Sequence, residues 1–437
     1  MSVQSALNFN DLRRGAKRRL PKGIFEYIDR GTEDETAIRH TRACFDNLRF
    51  APRALVTGEI SLKTTLFGEE YAMPFLAAPT AFTGLVWHQG EIALAQACSA
   101  AGIGYCAATS SITPVQDIAA ATPRAPWFQL YLSQQGELWR VLVQRAWDSG
   151  VRTLVLTVDT NVGPNREFNT RNGFGMPLTF GARNVFDVLS HPRWAAGVLG
   201  KYLRAGGLPV CGNYPPDFQA GPRGNPSAPK LNHHPDLSWD HVATLRETWK
   251  GNLVIKGILR PEDALRAADL GADGIVVSSH GARNIDSSVT PIDALPAIAE
   301  ASQGRLVILA DSGVQRGSDV FKLLARGAQA VLVGRAFLYG TAMGGRAGAE
   351  RAITILQDEL RRTMILSGYR DTRMLASASS GSGPHRFHSF AVTQAPQSGG
   401  DDNQPVPSNG GADGVPPPFL SQRPCPPHVD DGWRAPS

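Results

Sequence analysis

Short runs of apolar residues recur along the middle of the chain, and each has the length of one β-strand. The runs are Met73–Ala78, Gly104–Ala108, Trp127–Tyr131, Thr153–Val158, Leu253–Lys256, Gly274–Val277, Leu306–Ala310 and Ala330–Val333. They are apolar on consecutive positions rather than on alternate ones, which is typical of parallel strands buried on both faces. The pattern therefore predicts a parallel sheet covered by helices.

Helical patterns lie between most of these runs. They span Glu91–Ala101, Glu137–Ser149, Trp239–Trp249, Pro261–Leu270, Ile292–Ala301 and Gly317–Ala325. A strand followed by a helix, repeated along the chain in this way, predicts an α/β fold of the closed TIM (β/α)8 barrel type. A doubly wound open sheet is the alternative, although such a sheet rarely needs so many units in a row.

The segments outside this pattern give the domain organisation. Residues 1–375 are predicted to form one domain, with N-terminal helices in 8–53 and the barrel in 54–375. The Gly/Pro-rich stretch from Pro177 to Asp236 interrupts the pattern after the fourth strand, and a long insertion of this kind is usually functional or disordered. Ser, Gly, Pro and Asp dominate 376–437, a composition that predicts a disordered tail.

Composition excludes several function classes. The 437 residues carry a formal net charge of only +5, and basic residues do not alternate with aromatic ones, so nucleic-acid binding is not expected. The scattered Cys44, Cys98, Cys106, Cys211 and Cys425 show no metal-type spacing and indicate structural thiols in a reducing compartment. No stretch approaches the ~20 apolar residues of a membrane-spanning helix, and the N-terminus shows no secretory signal. We expect a cytoplasmic protein without a metal site.

Polar residues gather at the C-terminal ends of the apolar runs. They are Thr80, Thr109, Ser110, Gln129, Tyr131, Thr157, Asp159, Lys256, Ser278, His280, Asp311, Gly334 and Arg335. In a barrel these ends converge on one mouth, where barrel enzymes hold their chemistry. The pattern therefore predicts a single site at that mouth.

Two features of this mouth point to a phosphate and a redox ring. Asp311–Ser312–Gly313 and Gly334–Arg335 follow the seventh and eighth runs, where barrels commonly bind phosphate; ordinary tight turns are the alternative. Lys256 closes an apolar strand, where a cation is costly without an anion or an electron-rich group. A lysine beside a flavin would favour the reduced anion, while a salt-bridged or Schiff-base lysine is the alternative. Gln129 and Thr157 fit either a flavin ring or a buried polar pair.

A base and a carboxylate clamp follow the sixth run. His280 and Arg283 are separated by Gly281 and Ala282. A histidine accepts a proton near neutral pH, and an arginine matches a carboxylate with two parallel hydrogen bonds. The tetrapeptide alone also fits an exposed loop. Asp159 is placed to stabilise a protonated His280. The side chains that would complete a pocket for a hydroxyl and a carboxylate are Tyr27, Tyr131 and Arg166.

Taken in order, these motifs resemble the FMN-dependent 2-hydroxy acid dehydrogenase and oxidase family, and most of all its mandelate and lactate dehydrogenases. The resemblance runs from about Leu7 to Leu375. Its motifs are Leu20–Pro21–Lys22 with Tyr27, Ala78–Ala81, Trp127–Tyr131, Thr157–Asp159, Val254–Gly257, Ser278–Arg283, Asp311–Gly313 and Gly334–Arg335. Together they are specific, because each lies on a successive strand of the predicted barrel.

The resemblance implies a cofactor, a reaction and a role for each site residue. FMN would be held by Pro79, Thr80, Ala81, Ala108, Gln129, Thr157, Lys256, Ser278, Asp311, Ser312, Gly313, Gln315, Gly334 and Arg335. Catalysis would fall to His280, Asp159, Tyr131 and Arg283, and substrate binding to Tyr27, Tyr131, Arg166 and Arg283. The implied reaction is oxidation of an (S)-2-hydroxy acid to the 2-oxo acid with His280 as base. The sequence does not distinguish transfer of the electrons as a hydride from transfer through a carbanion.

Four positions depart from the family pattern. The usual Asn-His-Gly-Gly-Arg reads Ser279 to Arg283 here, so Ala282 adds a methyl group beside the base. Gln315, followed by Arg316, stands where most members have an arginine. Ala108 replaces a common serine, and Ser110 replaces the tryptophan of glycolate oxidase. Ser110, together with the likeness to the mandelate and lactate enzymes, favours an aryl or medium-sized substrate over glycolate. The altered residues Ala282 and Gln315 leave a non-catalytic flavin-binding barrel as an alternative.

The insertion from Pro177 to Asp236 resembles the segment by which lactate and mandelate dehydrogenases attach to a membrane. An apolar helix with basic flanks can lie in the interface, and His191–Arg204 has this composition. A soluble lid or an oligomer contact is the alternative. Attachment would make the protein peripheral on the inner face of the cell membrane and would favour a quinone-type acceptor; an oxidase that uses oxygen is the alternative. Family members often form tetramers, so the resemblance allows a homotetramer, which the sequence itself neither supports nor denies.

Overall fold

The computed structural model describes residues 2–133, 135–174, 181–219, 234–372 and 375. The predicted disordered tail, 376–437, lies outside the described residues, as do 177–180 and 220–233 of the predicted insertion.

A short antiparallel hairpin precedes the barrel. It pairs β1 (Thr64–Leu66) with β2 (Glu69–Tyr71). The indole nitrogen of Trp127 donates a hydrogen bond to the Tyr71 hydroxyl at 3.2 Å, and the rings of Phe67 and Trp127 lie 5.7 Å apart. Because Trp127 begins its strand, the hairpin covers the N-terminal end of the barrel. The sequence pattern did not predict it, since each strand is only three residues long.

Eight parallel strands form the barrel, which confirms the predicted TIM-barrel class. They are β3 (Phe75–Ala77), β4 (Cys106–Ala108), β5 (Trp127–Leu130), β6 (Thr153–Thr157), β7 (Asn252–Ile258), β8 (Gly274–Val277), β9 (Val307–Ala310) and β10 (Ala330–Val333). They pair in the order β3-β10-β9-β8-β7-β6-β5-β4. A bridge between Ala77 and Tyr105 joins β3 to the start of β4, with the Ala77 amide 2.9 Å from the Gly104 carbonyl. The barrel is therefore closed.

Helices surround the strands. They are α1 (Phe9–Arg19), α2 (Lys22–Asp29), α3 (Thr36–Asn47), α4 (Thr83–Val86), α5 (Gly90–Ala100), α6 (Val115–Ala120), α7 (Leu138–Asp148), α8 (Glu167–Arg171), α9 (Ala182–Leu189), α10 (Pro192–Trp194), α11 (Gly200–Arg204), α12 (Trp239–Thr248), α13 (Pro261–Asp269), α14 (Pro291–Ser302), α15 (Gly317–Ala325) and α16 (Arg335–Ser367). Each of the six predicted barrel helices is present to within one residue at either end. The pattern gave no bounds for α16, which continues through a kink at Gly344 and Gly345.

Two apolar layers fill the space between these elements. One lies inside the barrel and includes Leu76, Val155, Val254 and Leu309. The other lies between the strands and the outer helices. Alternate residues of each strand thus enter one layer or the other, which explains why the runs are apolar at every position.

The N-terminal helices are fixed over the C-terminal mouth by α16. The rings of Phe9 and Tyr339 meet edge to face at 5.4 Å, and the Tyr339 hydroxyl donates to Asp29 at 2.6 Å. Pro21 lies directly before α2. These contacts place α2, and with it Tyr27, beside the mouth.

A buried tryptophan is one of the contacts that attach the described part of the insertion to the barrel. Trp194 is buried, and its indole nitrogen donates to the Leu85 carbonyl of α4 at 2.6 Å. A π-helical turn, Ala195–Leu199, follows it, with Val198 also buried. Part of the stretch that was expected to meet a membrane therefore faces the barrel.

Candidate active site

A cavity of about 380 Å³ opens at the C-terminal ends of the strands. The predicted site residues that line it are Tyr27, Pro79, Thr80, Ala81, Ala108, Gln129, Tyr131, Thr157, Arg166, Lys256, His280, Arg283, Asp311, Ser312, Gly313, Gln315, Gly334 and Arg335. Asp159 and Ser278 do not line it, but they hydrogen-bond to residues that do. The structure therefore brings the predicted residues together in one place.

Lys256 is a buried cation held by an acid. Its ammonium group lies 3.3 Å from a carboxylate oxygen of Asp311 and donates to the Ser278 hydroxyl at 2.9 Å. Burial is the largest single influence on the pKa of Lys256 and lowers it, but the charges of Asp311 and Asp159, with Tyr131, together outweigh burial and the pKa is raised. A lysine held in its charged form does not form a Schiff base readily, so the geometry argues against that alternative.

His280 and Asp159 form a hydrogen-bonded pair. His280 Nδ1 lies 2.9 Å from Asp159 Oδ1, and the Tyr131 hydroxyl lies 3.5 Å from His280 Nε2. Burial would raise the pKa of Asp159, but His280 and Lys256 lower it to about 2. Burial lowers the pKa of His280, assisted by the charges of Lys256 and Arg166. The pair therefore rests as a carboxylate and a neutral imidazole, with Nε2 available as a base.

The backbone around His280 is left-handed for three residues. The φ angles are 56° at His280, 68° at Gly281 and 60° at Ala282. The amides of His280 and Gly281 donate to the Ser278 and Ser312 hydroxyls at 3.0 and 2.9 Å. A non-glycine residue in this region costs about 1 kcal/mol or more. These serine contacts hold the loop in a conformation that the chain alone disfavours.

Three arginines line the cavity without a carboxylate of their own. No ion pair involves Arg166, Arg283 or Arg335 within the part of the chain that the structure describes. Arg283 instead donates to the Arg30 carbonyl at 2.7 Å, and its guanidinium lies 5.1 Å from the centre of the Tyr27 ring. Burial, together with Arg166 and Arg335, lowers the pKa of Arg283 to about 9. A bound anion would relieve this cost.

One end of the cavity suits a phosphate. Gly334 and Arg335 form the N-terminus of α16, where free backbone N–H groups point outward. Ser312 and Gly313 have φ angles of 75° and 84°, a backbone shape that can present amides to an anion. Gln315 lines the cavity, whereas Arg316 turns away and pairs with Glu359 at 2.7 Å. The arginine after Gln315 therefore does not replace the missing family arginine.

The polar residues in the middle of the cavity are already paired. The side-chain amide of Gln129 donates to the Thr157 hydroxyl at 3.0 Å and accepts from the Thr109 amide at 3.2 Å. Spare lone pairs and one N–H remain on this pair for a ring heteroatom. Together with the buried Lys256 and the unneutralised arginines, this donor set fits a phosphate-bearing, electron-accepting ring such as FMN.

Sequence reasoning missed three residues beside the base and the clamp. Thr160 lies 3.4 Å from His280 Nδ1, and Asn284 contacts both Thr160 and Arg166. Phe82 lines the cavity and packs against Tyr27 at 5.6 Å between ring centres. Their nearness in sequence to Asp159, Arg283 and Ala81 was the only signal that could have indicated them.

Comparison with known proteins agrees with this geometry. The family model described as FMN-dependent dehydrogenase matches residues 16–380. L-lactate dehydrogenase from Xanthomonas campestris pv. campestris (strain 8004) is 41% identical over 369 residues, covering 82% of this chain and 92% of the relative. L-lactate dehydrogenase from Pectobacterium atrosepticum is 38% identical over 379 residues, covering 84% and 95%.

Solved structures of mandelate dehydrogenase and mandelate oxidase also match this chain. A crystal structure of the monotopic membrane protein (S)-mandelate dehydrogenase matches with a TM-score of 0.78 and 34% identity, covering 85% of this chain and 98% of that one. A mandelate oxidase variant with (S)-mandelic acid matches with a TM-score of 0.72 and 31% identity, covering 85% and 97%. The protein therefore belongs to the FMN-dependent 2-hydroxy acid dehydrogenase family and uses FMN as its cofactor.

Proposed function

We propose that this enzyme oxidises an (S)-2-hydroxy acid of lactate or mandelate type at the cavity, with His280 as the general base. The observation that carries the proposal is the proximity of a neutral imidazole, hydrogen-bonded to a carboxylate, to partly buried arginines that have no carboxylate partner among the described residues. A 2-hydroxy acid fits both groups, because its hydroxyl can give a proton to the imidazole and its carboxylate can bind the arginines.

Each side chain has a defined task in this reaction. Arg283 and Arg166 bind the substrate carboxylate, and Tyr27 and Tyr131 border the same space. His280 Nε2 then accepts the substrate proton, and Asp159 stabilises the imidazolium that results. FMN, when bound, supplies the two-electron acceptor. Lys256 provides positive charge beside it. The residues that would hold FMN are Pro79, Thr80, Ala81, Ala108, Gln129, Thr157, Ser278, Asp311, Ser312, Gly313, Gln315, Gly334 and Arg335.

The test is anaerobic bleaching of the bound flavin. A panel that includes L-lactate, (S)-mandelate, glycolate and the opposite enantiomers is mixed with the holoenzyme, and the visible absorbance is followed. We expect an (S)-acid to bleach it, and His280→Gln to slow bleaching by about 1000-fold while retaining flavin. Failure of every acid to bleach the flavin of the unaltered enzyme would favour a binding protein instead.

Small residues favour a substrate larger than glycolate. Ala108 and Ser110 line the cavity, so neither position carries a bulky wall. A larger apolar side chain then gains contact with the protein, with each buried CH₂ worth about 0.8 kcal/mol. We expect Ser110→Trp to lower kcat/KM for (S)-mandelate more than for L-lactate. Equal losses for both acids would contradict this assignment of the wall.

The second half of the reaction needs an acceptor, for which we propose a quinone-type molecule. Oxygen is the alternative, because structures of mandelate oxidase also match at 31% identity. Stopped-flow mixing of the reduced enzyme with air-saturated buffer or with a soluble quinone separates the two. Reoxidation by quinone that is at least ten times faster than by oxygen supports the dehydrogenase, and the reverse order supports the oxidase.

We propose that the described part of the insertion binds a membrane surface, and its exposed apolar side chains support this. Phe186 and Leu189 of α9 are 75% and 70% exposed, and Leu203 of α11 is 54% exposed. Lys201 and Arg204 lie on α11 beside Leu203. Exposed apolar side chains with nearby cations favour the interface of an anionic bilayer. Within the described residues, no helix combines the length and apolar character needed to cross a bilayer.

Flotation with vesicles tests this peripheral attachment, which would place the protein on the inner face of the cell membrane. Phe186→Ser with Leu189→Ser should abolish flotation with vesicles that contain anionic lipid. Leu366→Ser is the matched control, because Leu366 is 75% exposed but lies on α16. Equal flotation of both variants would contradict the assignment and favour a lid or an oligomer contact.

The boundaries and the assembly of the protein are part of the proposal. Residues 1–375 would form the catalytic domain, with 376–437 as a separate tail, and four copies would form a homotetramer. Limited proteolysis should remove the tail with flavin retained, and light scattering of the holoenzyme should give four times the mass of one chain.

A further inference from the structure

Asn284 lies directly after the clamp residue Arg283 and contacts both halves of the site. Its side chain makes three hydrogen bonds, to Asp159, to Thr160 and from Arg166. Asp159 and Thr160 belong to the loop after β6, whereas Asn284 belongs to the loop after β8. One amide therefore joins two loops that only the folded barrel brings together.

The nitrogen of the amide organises the base. Asn284 Nδ2 donates to the Asp159 backbone carbonyl at 2.7 Å and to Thr160 Oγ1 at 2.9 Å. Because Thr160 Oγ1 accepts there, its own hydrogen is directed to Asp159 Oδ1, 3.1 Å away. Asp159 Oδ1 also accepts from His280 Nδ1. Asn284 thus fixes the donors around the carboxylate that supports the base.

The oxygen of the amide organises the clamp. Asn284 Oδ1 accepts from Arg166 Nη2 at 3.3 Å, and Arg166 Nε donates to the Arg283 carbonyl at 3.1 Å. Two acceptors lie on one side of the amide and a cationic donor on the other. A flipped amide would face its N–H groups toward Arg166, so the contacts fix its orientation.

We propose that Asn284 is a positioning residue that sets the distance and angle between the proton acceptor, His280, and the carboxylate clamp formed by Arg166 and Arg283. This inference rests on the proposed function of the site. A substrate held by its carboxylate presents its hydroxyl to the base only if both groups are fixed to within a fraction of an ångström. The Ser278 and Ser312 hydroxyls hold the left-handed backbone at His280 and Gly281, and Asn284 adds a link from the same loop to the loop after β6.

Two variants separate the base side of Asn284 from its clamp side. Thr160→Val removes the bond to Thr160 on the base side and leaves the bonds to the Asp159 carbonyl and from Arg166, so we expect kcat to fall about 10-fold with KM within twofold of the unaltered enzyme. Asn284→Ala removes both links, so KM should also rise about 10-fold. Ile285→Ala is the matched control, because Ile285 is the next residue in the loop and is 65% exposed. It should leave both constants unchanged.

The pH profile gives a readout that a purely structural role would not move. Asp159, Lys256, Arg166 and Tyr131 face His280. In Thr160→Val the Asp159 carboxylate loses one hydrogen-bond donor, so its negative charge acts more strongly on His280. In Asn284→Ala the Arg166 side chain loses an acceptor and is free to move away from His280. Both changes stabilise the imidazolium, so the acid limb of kcat/KM should move to higher pH in both variants and stay in place in Ile285→Ala.

The affinity for a 2-oxo acid, measured from the change that its binding causes in the flavin spectrum, gives a readout that requires no turnover. Asn284→Ala should weaken it about 10-fold, while Thr160→Val should not. If Asn284→Ala merely lowers the melting temperature, with the acid limb, KM and 2-oxo acid affinity unchanged, the inference is overturned. Absence of turnover in the unaltered enzyme would count against the proposed function instead, and the binding measurement would still decide the role of Asn284.

Discussion

At the scale of single residues, burial of His280 and the charge of Asp159 together determine the pH range in which the base works. Asp159 stays ionised throughout the usual range, because its pKa is about 2. Burial holds the pKa of His280 below its ordinary value. The base is protonated only in acid, so kcat/KM should be constant through neutral pH and fall only below about pH 6.5.

Replacing that carboxylate changes both the rate and the profile. Asp159→Asn removes the anion that stabilises the imidazolium, so we expect kcat to fall about 100-fold or more. The acid limb should move to still lower pH, because the pKa of His280 loses its main raising influence. A rate–pH profile of the variant checks both effects. An acid limb at the same pH as in the unaltered enzyme would show that His280 is not the titrating base.

Gly281 and Ala282, which lie between His280 and Arg283, differ in the side chains that they tolerate. A Cβ at Gly281 would lie 3.3 Å from Arg335 Nη1 in a backbone with φ of 68°, so Gly281→Ala should displace Arg335 and weaken FMN binding about 10-fold. Ala282 already occupies left-handed backbone, so Ala282→Gly removes strain there. We expect Ala282→Gly to keep FMN affinity within twofold, measured by titration of the deflavinated protein. Equal affinities of both variants would contradict the role of this loop in the cofactor site.

At the scale of elements, a bulge in β7 makes room for the catalytic pair. The register shifts between Lys256 and Ile258, and Gly257 there has a φ of 110°. A Cβ at Gly257 would lie 2.6 Å from the Cβ of Asp159. Gly257→Ala should therefore push Asp159 from His280 and lower kcat about 100-fold with flavin still bound.

Gly271→Ala is the control for this prediction. Gly271 also has positive φ, 78°, but a Cβ there meets Arg246 only at an ordinary 3.4 Å. A side chain there also pays for positive φ, about 1 kcal/mol, without touching the site. Equal losses of kcat in the two variants would mean that strain, rather than displacement of Asp159, is responsible.

The contact between Trp194 and Leu85 attaches the insertion to an element next to the cavity. Trp194→Phe leaves the Leu85 carbonyl without its donor and should lower the free energy of unfolding by about 1–3 kcal/mol. Trp239→Phe, at the partly exposed start of α12, is the control and should cost less. Denaturant unfolding of both variants measures the difference, and an equal cost would show that Trp194 does not anchor the insertion.

The sequence predicted elements better than it predicted contacts between them. Strands buried on both faces leave a continuous apolar run, so their positions were predicted to within two residues. The hairpin at 64–71 was missed because its strands are too short for a period. Thr160 and Asn284 were missed because their roles arise where the loops after β6 and β8 meet, and no local pattern records that meeting.

At the scale of the whole molecule, the barrel concentrates uncompensated positive charge at its mouth. The sequence placed the arginines at strand ends, but only the structure shows that their guanidinium groups lack carboxylate partners within the described residues. Folding without an anion therefore buries charge at a cost. Binding of FMN is expected to stabilise the fold as well as to supply the chemistry.

Thermal unfolding of the deflavinated protein with different ligands tests this linkage. A ligand at 100 times its Kd stabilises by about 2.7 kcal/mol. FMN should raise the melting temperature most, riboflavin less at equal concentration because it lacks the phosphate, and inorganic phosphate slightly on its own. Arg316→Ala should leave this order intact, because Arg316 pairs with Glu359 outside the cavity. Stabilisation by riboflavin equal to that by FMN would show that the charge at the mouth serves the substrate carboxylate alone, because the phosphate would then contribute nothing.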